Sequence, residues 1–472
     1  MSTRPRIVLY NPKADFYTMP LALLALGSAI DRTRYDVRIV DGRLDTDACA
    51  TVVDAAREAL CVGVTALTGG PLRDALRVTR AVRAANPRCP IVWGGWHPSL
   101  FPVETLHDAG LTATIQGQGE LAFREVVDRL HAGDALADVA GCTTVGAHGE
   151  PLSVPARPTA DINGFPAHDY ALVEPERYFA LKGRRQLDYV TSQGCRFRCT
   201  FCADPTVYRR AWFGLAPERV ADELAHLSRT HGMTDVAFQD ETFFTNTSRV
   251  AHISTALLAR GLTFTWMATM RGDQGARLDE QVLALARRAG LRRVMVGLES
   301  GSQAMLDWMK KDVDVDEVFT TADKCRRAGI AMLVNLIVGF PGEPHESVVA
   351  TLGAAKRLRA MGPDVQVAIF YYKPYPGTPI TAALAAEGFP LPARLDEWAE
   401  LDSDRAPSPW VSPVKRRLVD RFTFYQRIAW APPSAWRAPV QAVARWRCKH
   451  DCYAVPVERW LLASLRTFAP QG

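Results

Sequence analysis

The sequence is short of several features that would each have decided its class. Its apolar runs are brief, and the longest, near Leu21–Ile30, is too short to span a bilayer. The opening Met-Ser-Thr-Arg-Pro-Arg runs straight into a strand-like Ile7-Val8-Leu9-Tyr10, so no secretory or transit segment is expected and a cytoplasmic setting is. The 10 cysteines show no framework spacing, which argues against a disulfide scaffold and suits a reducing compartment. No G-x-G-x-x-G occurs, so a dinucleotide reading fails its first test. No internal repeat is visible, and no RNP-like signature accompanies the basic residues. A formal charge of +5 is mild and implies no nucleic-acid partner.

The 472 residues are too many for one typical domain, and 48% hydrophobic with 23% charged residues is the composition of a soluble globular protein. Residues 1–150 alternate strands and helices. Strands are expected at Ile7–Tyr10, Val37–Val40, Cys61–Thr65, Ile91–Trp93 and Ala113–Gln116, with helices at Leu21–Asp31, Thr51–Leu60 and Leu72–Ala85. That order predicts an open parallel sheet covered on both faces. Residues 151–185 carry Pro151, Pro155, Pro158 and Pro166 and read as a packed linker. From about Asp188 the alternation resumes through six strand–helix units, which predicts a partial (β/α)₆ barrel over 186–380. Residues 381–472 read as an irregular, helix-rich region that includes Pro432-Pro433.

The sharpest signal follows the first strand of the second unit. Cys195, Cys199 and Cys202 are spaced C-x3-C-x2-C. Zinc prefers four protein ligands, and no fourth Cys or His lies at zinc spacing nearby. Short thiolate spacings let one loop wrap an iron–sulfur cluster, and three ligands leave one iron of four open. Strand C-terminal ends carry the site in barrels of this kind, and the cysteine loop sits at one.

The motif, with Phe201 before its last cysteine, resembles the radical S-adenosylmethionine (SAM) superfamily. The resemblance implies a [4Fe-4S] cluster whose open iron is chelated by SAM, and reductive cleavage to a 5′-deoxyadenosyl radical. It also implies a flavodoxin- or ferredoxin-type electron donor and an anaerobic setting. Residues at successive strand ends then become candidates for SAM. Asp240 and Glu241 in Gln239-Asp240-Glu241-Thr242 match the acidic, amino-binding segment. Arg271 is a candidate partner for the carboxylate. Glu299, beside Ser300, resembles the ribose partner of related enzymes, and Gly339 in Val338-Gly339-Phe340-Pro341-Gly342 resembles the segment along adenine. Each alone is as well explained by a helix cap or a turn.

Two turns of the N-terminal unit, Thr65-Ala66-Leu67-Thr68 and Gly94-Gly95-Trp96-His97, resemble the S/T-x-L and Gly-Gly elements of cobalamin-binding domains. Gln116, Gly117 and Glu120 would complete the rim of such a Rossmann-like fold, where ligands sit outside the strand C-termini. The D-x-H-x-x-G element that supplies a histidine to cobalt is missing: Asn11-Pro12-Lys13-Ala14-Asp15 stands in its place, and His97 lies in another loop. Residues 5–380 thus resemble the cobalamin-dependent radical SAM enzymes, a group of methyltransferases and the anaerobic magnesium-protoporphyrin cyclase.

The resemblance implies methylation of an unactivated carbon in a small-molecule or lipid-like substrate. The alternative within the group is cyclisation, rearrangement or oxidation without methyl transfer. A non-enzymatic cluster and cobalamin sensor is disfavoured, because no DNA-binding module is present. The stretch from Arg405 to His450 holds ten Lys/Arg and the single acidic residue Asp420, interleaved with Trp410, Trp430, Trp436 and Trp446. A solvated face, an anionic substrate or peripheral membrane contact would each explain it. Tyr372, Tyr375, Trp398 and Arg416 are candidates for the substrate side. Cys448 and Cys452 flank His450, but two cysteines are too few for a second cluster.

Overall fold

The computed structural model describes residues 4–401, 409–431 and 438–453. Residues Pro432, Pro433, Trp436 and Arg405 lie outside that set.

The N-terminal sheet has seven strands: β1 (Arg6–Asn11), β2 (Asp36–Asp41), β3 (Ala59–Thr65), β4 (Ile91–Gly94), β5 (Ala113–Ile115), β6 (Cys142–Val145) and β7 (Pro151–Ser153). Their order is β2-β1-β3-β4-β5-β6-β7, with the first five parallel and β6 and β7 added antiparallel. The five parallel strands match the periodicity of the sequence. The antiparallel pair is too short and too rich in Thr and Pro to show a pattern. The helix expected over 51–60 runs Ala48–Ala55 instead, and β3 starts at Ala59, because Arg57-Glu58 make the turn between them. Apolar strands buried on both faces are what a covered parallel sheet requires. Ile7, Val8, Leu9 and Tyr10 are accordingly all fully buried.

The second unit is a six-stranded, all-parallel sheet with order β15-β14-β13-β12-β11-β8. Its strands are β8 (Gln186–Tyr189), β11 (Asp235–Phe238), β12 (Thr265–Arg271), β13 (Leu291–Glu299), β14 (Ala331–Val338) and β15 (Val365–Tyr371). Neighbours in sequence are neighbours in the sheet, the order of a partial barrel. A hairpin of β9 (Ser192–Gly194) and β10 (Trp212–Gly214) frames the cysteine loop. Behind the sheet, Phe238 stacks on Phe243 at 5.0 Å and both meet Trp266, whose indole N–H donates to the Ala289 carbonyl at 2.8 Å.

Residues after the barrel return to both units. Leu395 and Trp398 join the core of the N-terminal sheet. Arg80 pairs with Asp396 at 3.0 Å, and the Leu395 N–H donates to Asp108. The helix Pro413–Ala429 lies along the open edge of the barrel, where the Gln426 amide reaches the Val367 carbonyl at 3.2 Å. Among the described residues no helix is long and apolar enough to cross a membrane.

Candidate active site

The cysteine loop is built by its neighbours as much as by its own sequence. Gly194, at φ +91°, leaves no room for a side chain: a Cβ there would stand 2.3 Å from the Ala211 carbonyl. Cys195 and Cys199 are buried, Cys202 is half-buried, and none forms a disulfide. The Phe197 N–H donates to Cys195, whose thiol burial pushes up to about 11. Backbone N–H groups aimed at sulfur suit a thiolate that carries charge. No group of three Cys, His, Asp or Glu among the described residues converges as a single-ion site would. A four-iron cluster takes one thiolate per iron, so its ligands surround a volume rather than a point. Three thiols on one short loop are a donor set that suits a cluster, which takes one thiolate per iron.

Arg271 underlies this loop rather than facing an open cavity. Its guanidinium lies 3.7 Å from the centre of the Phe197 ring. It donates to Cys199 Sγ at 3.7 Å, to the Lys311 carbonyl at 2.6 Å, to the Asp312 carbonyl at 3.1 Å and to Asp273 at 2.9 Å. With its donors so engaged, the arginine braces the loop and places positive charge beside Cys199 Sγ.

The acidic pair splits into two roles. Asp240 is fully buried and accepts from Thr191 N at 2.7 Å and from the Thr191 and Ser192 hydroxyls, both at 2.5 Å. It holds the turn between β8 and β9. Glu241 accepts from Gly194 N at 3.1 Å and stands beside Tyr208. Burial, then the nearby Asp204, lift its carboxyl to about 8. A buried carboxyl raised in this way lacks a cation, and a substrate ammonium would supply one. Glu299 is in the left-handed region at φ +65° and pairs with Lys311 at 2.7 Å. Ser300 is fully buried and bonded to Thr351, so it braces its turn. Gly339, at φ +85°, precedes Phe340, which packs against Tyr372, Trp308 and, edge-on, Phe201.

Above the N-terminal sheet lies a cavity of about 460 Å³. Thr65, Leu67, Gly94, Gly95, Gly117 and Glu120 all line it, as the sequence predicts. So do Asn11, Trp96, Gln118, Gln193, Tyr208 and Gln239, which the sequence did not single out. Asn11 Nδ2 has no partner, and Asn11 is 2% exposed. Gly94 leaves open space, with nothing nearer than 3.9 Å to a Cβ there. An orphaned amide and a glycine-floored slot suit a nucleotide tail and the amide-fringed ring of cobalamin.

His97, Thr68 and Gln116 do not reach that cavity. His97 is fully buried, its Nδ1 is 2.9 Å from Thr68 Oγ1, and its ring meets Phe101 and Trp398 edge-on. It faces the returning segment at 391–398, and burial pushes it down to about 4. Gln116 bonds back to Thr114. Trp398 likewise belongs to that core, not to the barrel mouth.

A second cavity, of about 270 Å³, opens at the tops of β8 and β11 and includes Glu241, Ser192, His168 and Glu223. It shares Trp96, Glu120, Gln193, Tyr208 and Gln239 with the first. The tops of β8 and β11 thus adjoin strand ends of the N-terminal sheet, with these residues as the wall the two cavities share. Tyr208 stands edge-on to Trp96 at 5.7 Å in the middle of it. No sequence signal marks Tyr208; only the hairpin brings it there.

A cysteine loop on a parallel barrel and a glycine-floored slot in a Rossmann-like sheet are two candidate cofactor sites in one chain. Residues 189–355 match the Radical SAM superfamily, and residues 7–127 match the B12 binding domain. The chain thus carries a radical SAM domain and a B12-binding domain. Its cofactors are those of the two domains: a [4Fe-4S] cluster, SAM and cobalamin. It is 29% identical over 388 residues to an uncharacterized methyltransferase of Pyrococcus horikoshii, covering 81% of this chain and 82% of that one. It is 26% identical over 309 residues to the anaerobic magnesium-protoporphyrin IX monomethyl ester cyclase of Rubrivivax gelatinosus, covering 64% and 55%. The fold matches that of the cobalamin-dependent SAM radical enzyme OxsB with aqua-cobalamin and SAM bound. The TM-score is 0.75 at 16% identity, over 95% of this chain and 71% of that one.

Proposed function

We propose that the protein is a cobalamin-dependent radical SAM methyltransferase acting on an unactivated carbon of a small-molecule or lipid-like substrate. The observation that supports this reading is the pair of adjoining cavities, which bring Glu241 at the top of β11 next to the glycine-floored slot of the N-terminal sheet. When bound, the cluster and SAM supply one-electron cleavage to a 5′-deoxyadenosyl radical, and cobalamin supplies a carrier for a methyl group taken from SAM.

The chain's own residues hold and shield these groups. Cys195, Cys199 and Cys202 ligate the cluster, and Phe201 backs it. Glu241 accepts the SAM ammonium, Glu299 a ribose hydroxyl, and the turn at Gly339 passes along adenine. Arg271, Asp240 and Ser300 position these segments rather than touching SAM. Thr65, Leu67, Gly94, Gly95, Gly117 and Glu120 enclose the cobalamin tail. In the division read from the sequence, residues 1–150 bind cobalamin, with their sheet running on through β7 to Ser153, the rest of 151–185 links, 186–380 form the radical unit and 381–472 close the substrate side. In that last part Trp410 packs on Tyr372 and Phe389, and Trp430 lies under Arg359, so both turn toward the barrel. Cys448 is fully buried in the core against Tyr425 and Tyr453 and serves packing.

A second reading, radical cyclisation without methyl transfer, is favoured by the similarity to the Rubrivivax cyclase. Methyl-labelled SAM separates the two. Anaerobically reconstituted protein supplied with the source organism's small-molecule pool should form S-adenosylhomocysteine as well as 5′-deoxyadenosine, and a labelled product. 5′-Deoxyadenosine with an unlabelled product and no S-adenosylhomocysteine would overturn methylation in favour of the second reading.

A further inference from the structure

The outer face of the cysteine loop is unusually cationic. Arg196 and Arg198, between the cluster ligands, are exposed while Cys195 and Cys199 beside them are buried. Arg209 and Arg210 sit in the hairpin that frames the loop, and the Arg210 side chain donates to the Arg196 carbonyl at 3.0 Å. Lys310 projects from the turn that meets the loop from the other side, where Thr200 N–H donates to the Met309 carbonyl at 2.9 Å. Asp312 is taken by Arg198 through two bonds of 2.7 and 2.8 Å. Its carboxyl is held down by Arg198, with Arg271 and Arg210 also in reach, so these side chains share one surface. Among the described residues Arg209 and Lys310 have no carboxylate partner. Trp308, 46% exposed, adds an aromatic contact at the margin.

The backbone there is strained. Arg209, Arg210, Lys310 and Asp312 all have positive φ, between +49° and +61°. A left-handed residue other than glycine or asparagine costs about 1–2 kcal/mol. A turn built for folding alone gains by Gly or Asn at such positions. Here the positions carry charge instead, and their turns touch the cysteine loop at Arg196, Arg198 and Thr200.

We propose that this face is the docking surface for an acidic one-electron donor protein of the flavodoxin type. The inference rests on the reading that the three cysteines hold the cluster. Arg196 and Arg198 lie between the cluster ligands, so a donor protein seated on this exposed face comes close to the cluster site. Clustered positive charge attracts an acidic partner, raises its association rate and makes that rate fall with salt. In the transfer, the donor's flavin loses one electron and the oxidised cluster gains it; no bond forms or breaks.

The test mixes a photoreduced flavodoxin with anaerobically reconstituted protein and follows bleaching of the cluster by stopped flow. Wild type should be bleached at a rate that falls steeply with ionic strength. The Arg209→Glu/Lys310→Glu variant should retain its iron yet be bleached about tenfold more slowly at low salt, with a flatter salt dependence. Arg288→Glu, at the far end of the barrel, should behave as wild type. Reduced methyl viologen, a small reductant, should bleach all three proteins alike. An Arg209→Glu/Lys310→Glu variant reduced by flavodoxin at the wild-type rate overturns the docking surface while leaving the cluster assignment intact. Equal slowing with methyl viologen also overturns it, because the substitution then acts on the cluster itself. Absence of iron in the wild type would instead remove the reading beneath it.

Discussion

Adjacent acidic residues at the top of β11 give the sharpest test of how the site divides labour. Replacing Asp240 by Asn removes a buried charge that accepts three hydrogen bonds at 2.5–2.7 Å and faces Arg249. Bonds to a charged acceptor are worth about 1.5–3 kcal/mol, and the amide retains only part of that set, so a cost of about 3 kcal/mol is expected. A unit the size of residues 186–380 unfolds with an entropy of about 0.4 kcal/mol/K, which converts that cost to about 7 °C in melting temperature. Glu241→Gln is different. Its carboxyl already titrates near 8, so a neutral isostere changes folding little at pH 7, by about 1 kcal/mol or less. It removes the acceptor proposed for the SAM ammonium and should weaken SAM binding at least about tenfold. Thermal melts of the metal-free chains and equilibrium dialysis of SAM against reconstituted protein measure the two effects. Asp240→Asn with wild-type melting and lost SAM affinity would refute the assignment, and so would Glu241→Gln with unchanged affinity.

Three further outcomes are expected. His97 titrates at about 4 in the fold against 6.5 in the open chain, so its contribution is complete above pH 6.5 and is lost as pH falls toward 4. Urea titrations should show about 3 kcal/mol less acid-side loss in His97→Gln, and identical curves would sink the point. Gly95→Ala places a Cβ 2.9 Å from the Ala66 carbonyl at φ +97° and should lower the melting temperature, whereas Gly94→Leu should fold normally and lose cobalamin by dialysis. Lys311→Met strands Glu299 as a buried carboxylate and should cost about 3–5 kcal/mol in denaturant unfolding; the double variant with Glu299→Gln should recover much of it, and purely additive losses would contradict the pairing.

Much of this was legible because the relevant features are periodic or local. All the parallel strands of both sheets follow from apolar runs separated by amphipathic helices, and the cysteine loop and glycine turns follow from fixed spacings. What escaped were features made by distant chain. Tyr208 and Gln193 line both adjoining cavities only because the β9–β10 hairpin folds toward the N-terminal sheet. Arg271 reads like a free cation at a strand end, yet the turn at Lys311 and Asp312 claims it. Asp240 and Glu241 differ by one position, and only the orientation of that strand end decides which of them is spent on the backbone. His97 lies two residues beyond the glycines of the cavity floor, in the short helix Trp96–Leu100, and that helix turns its side chain toward Thr68, Phe101 and Trp398 rather than into the cavity.

The most direct measurement of the central claim, that cluster and cobalamin face one another across adjoining cavities, is electron paramagnetic resonance of protein reconstituted with both. With the cluster reduced and the cobalamin as cob(II)alamin, the account predicts two paramagnets in one chain whose signals are split or relax faster through mutual coupling. Two independent, uncoupled signals, or cobalamin that dialyses away while the iron stays, would contradict it.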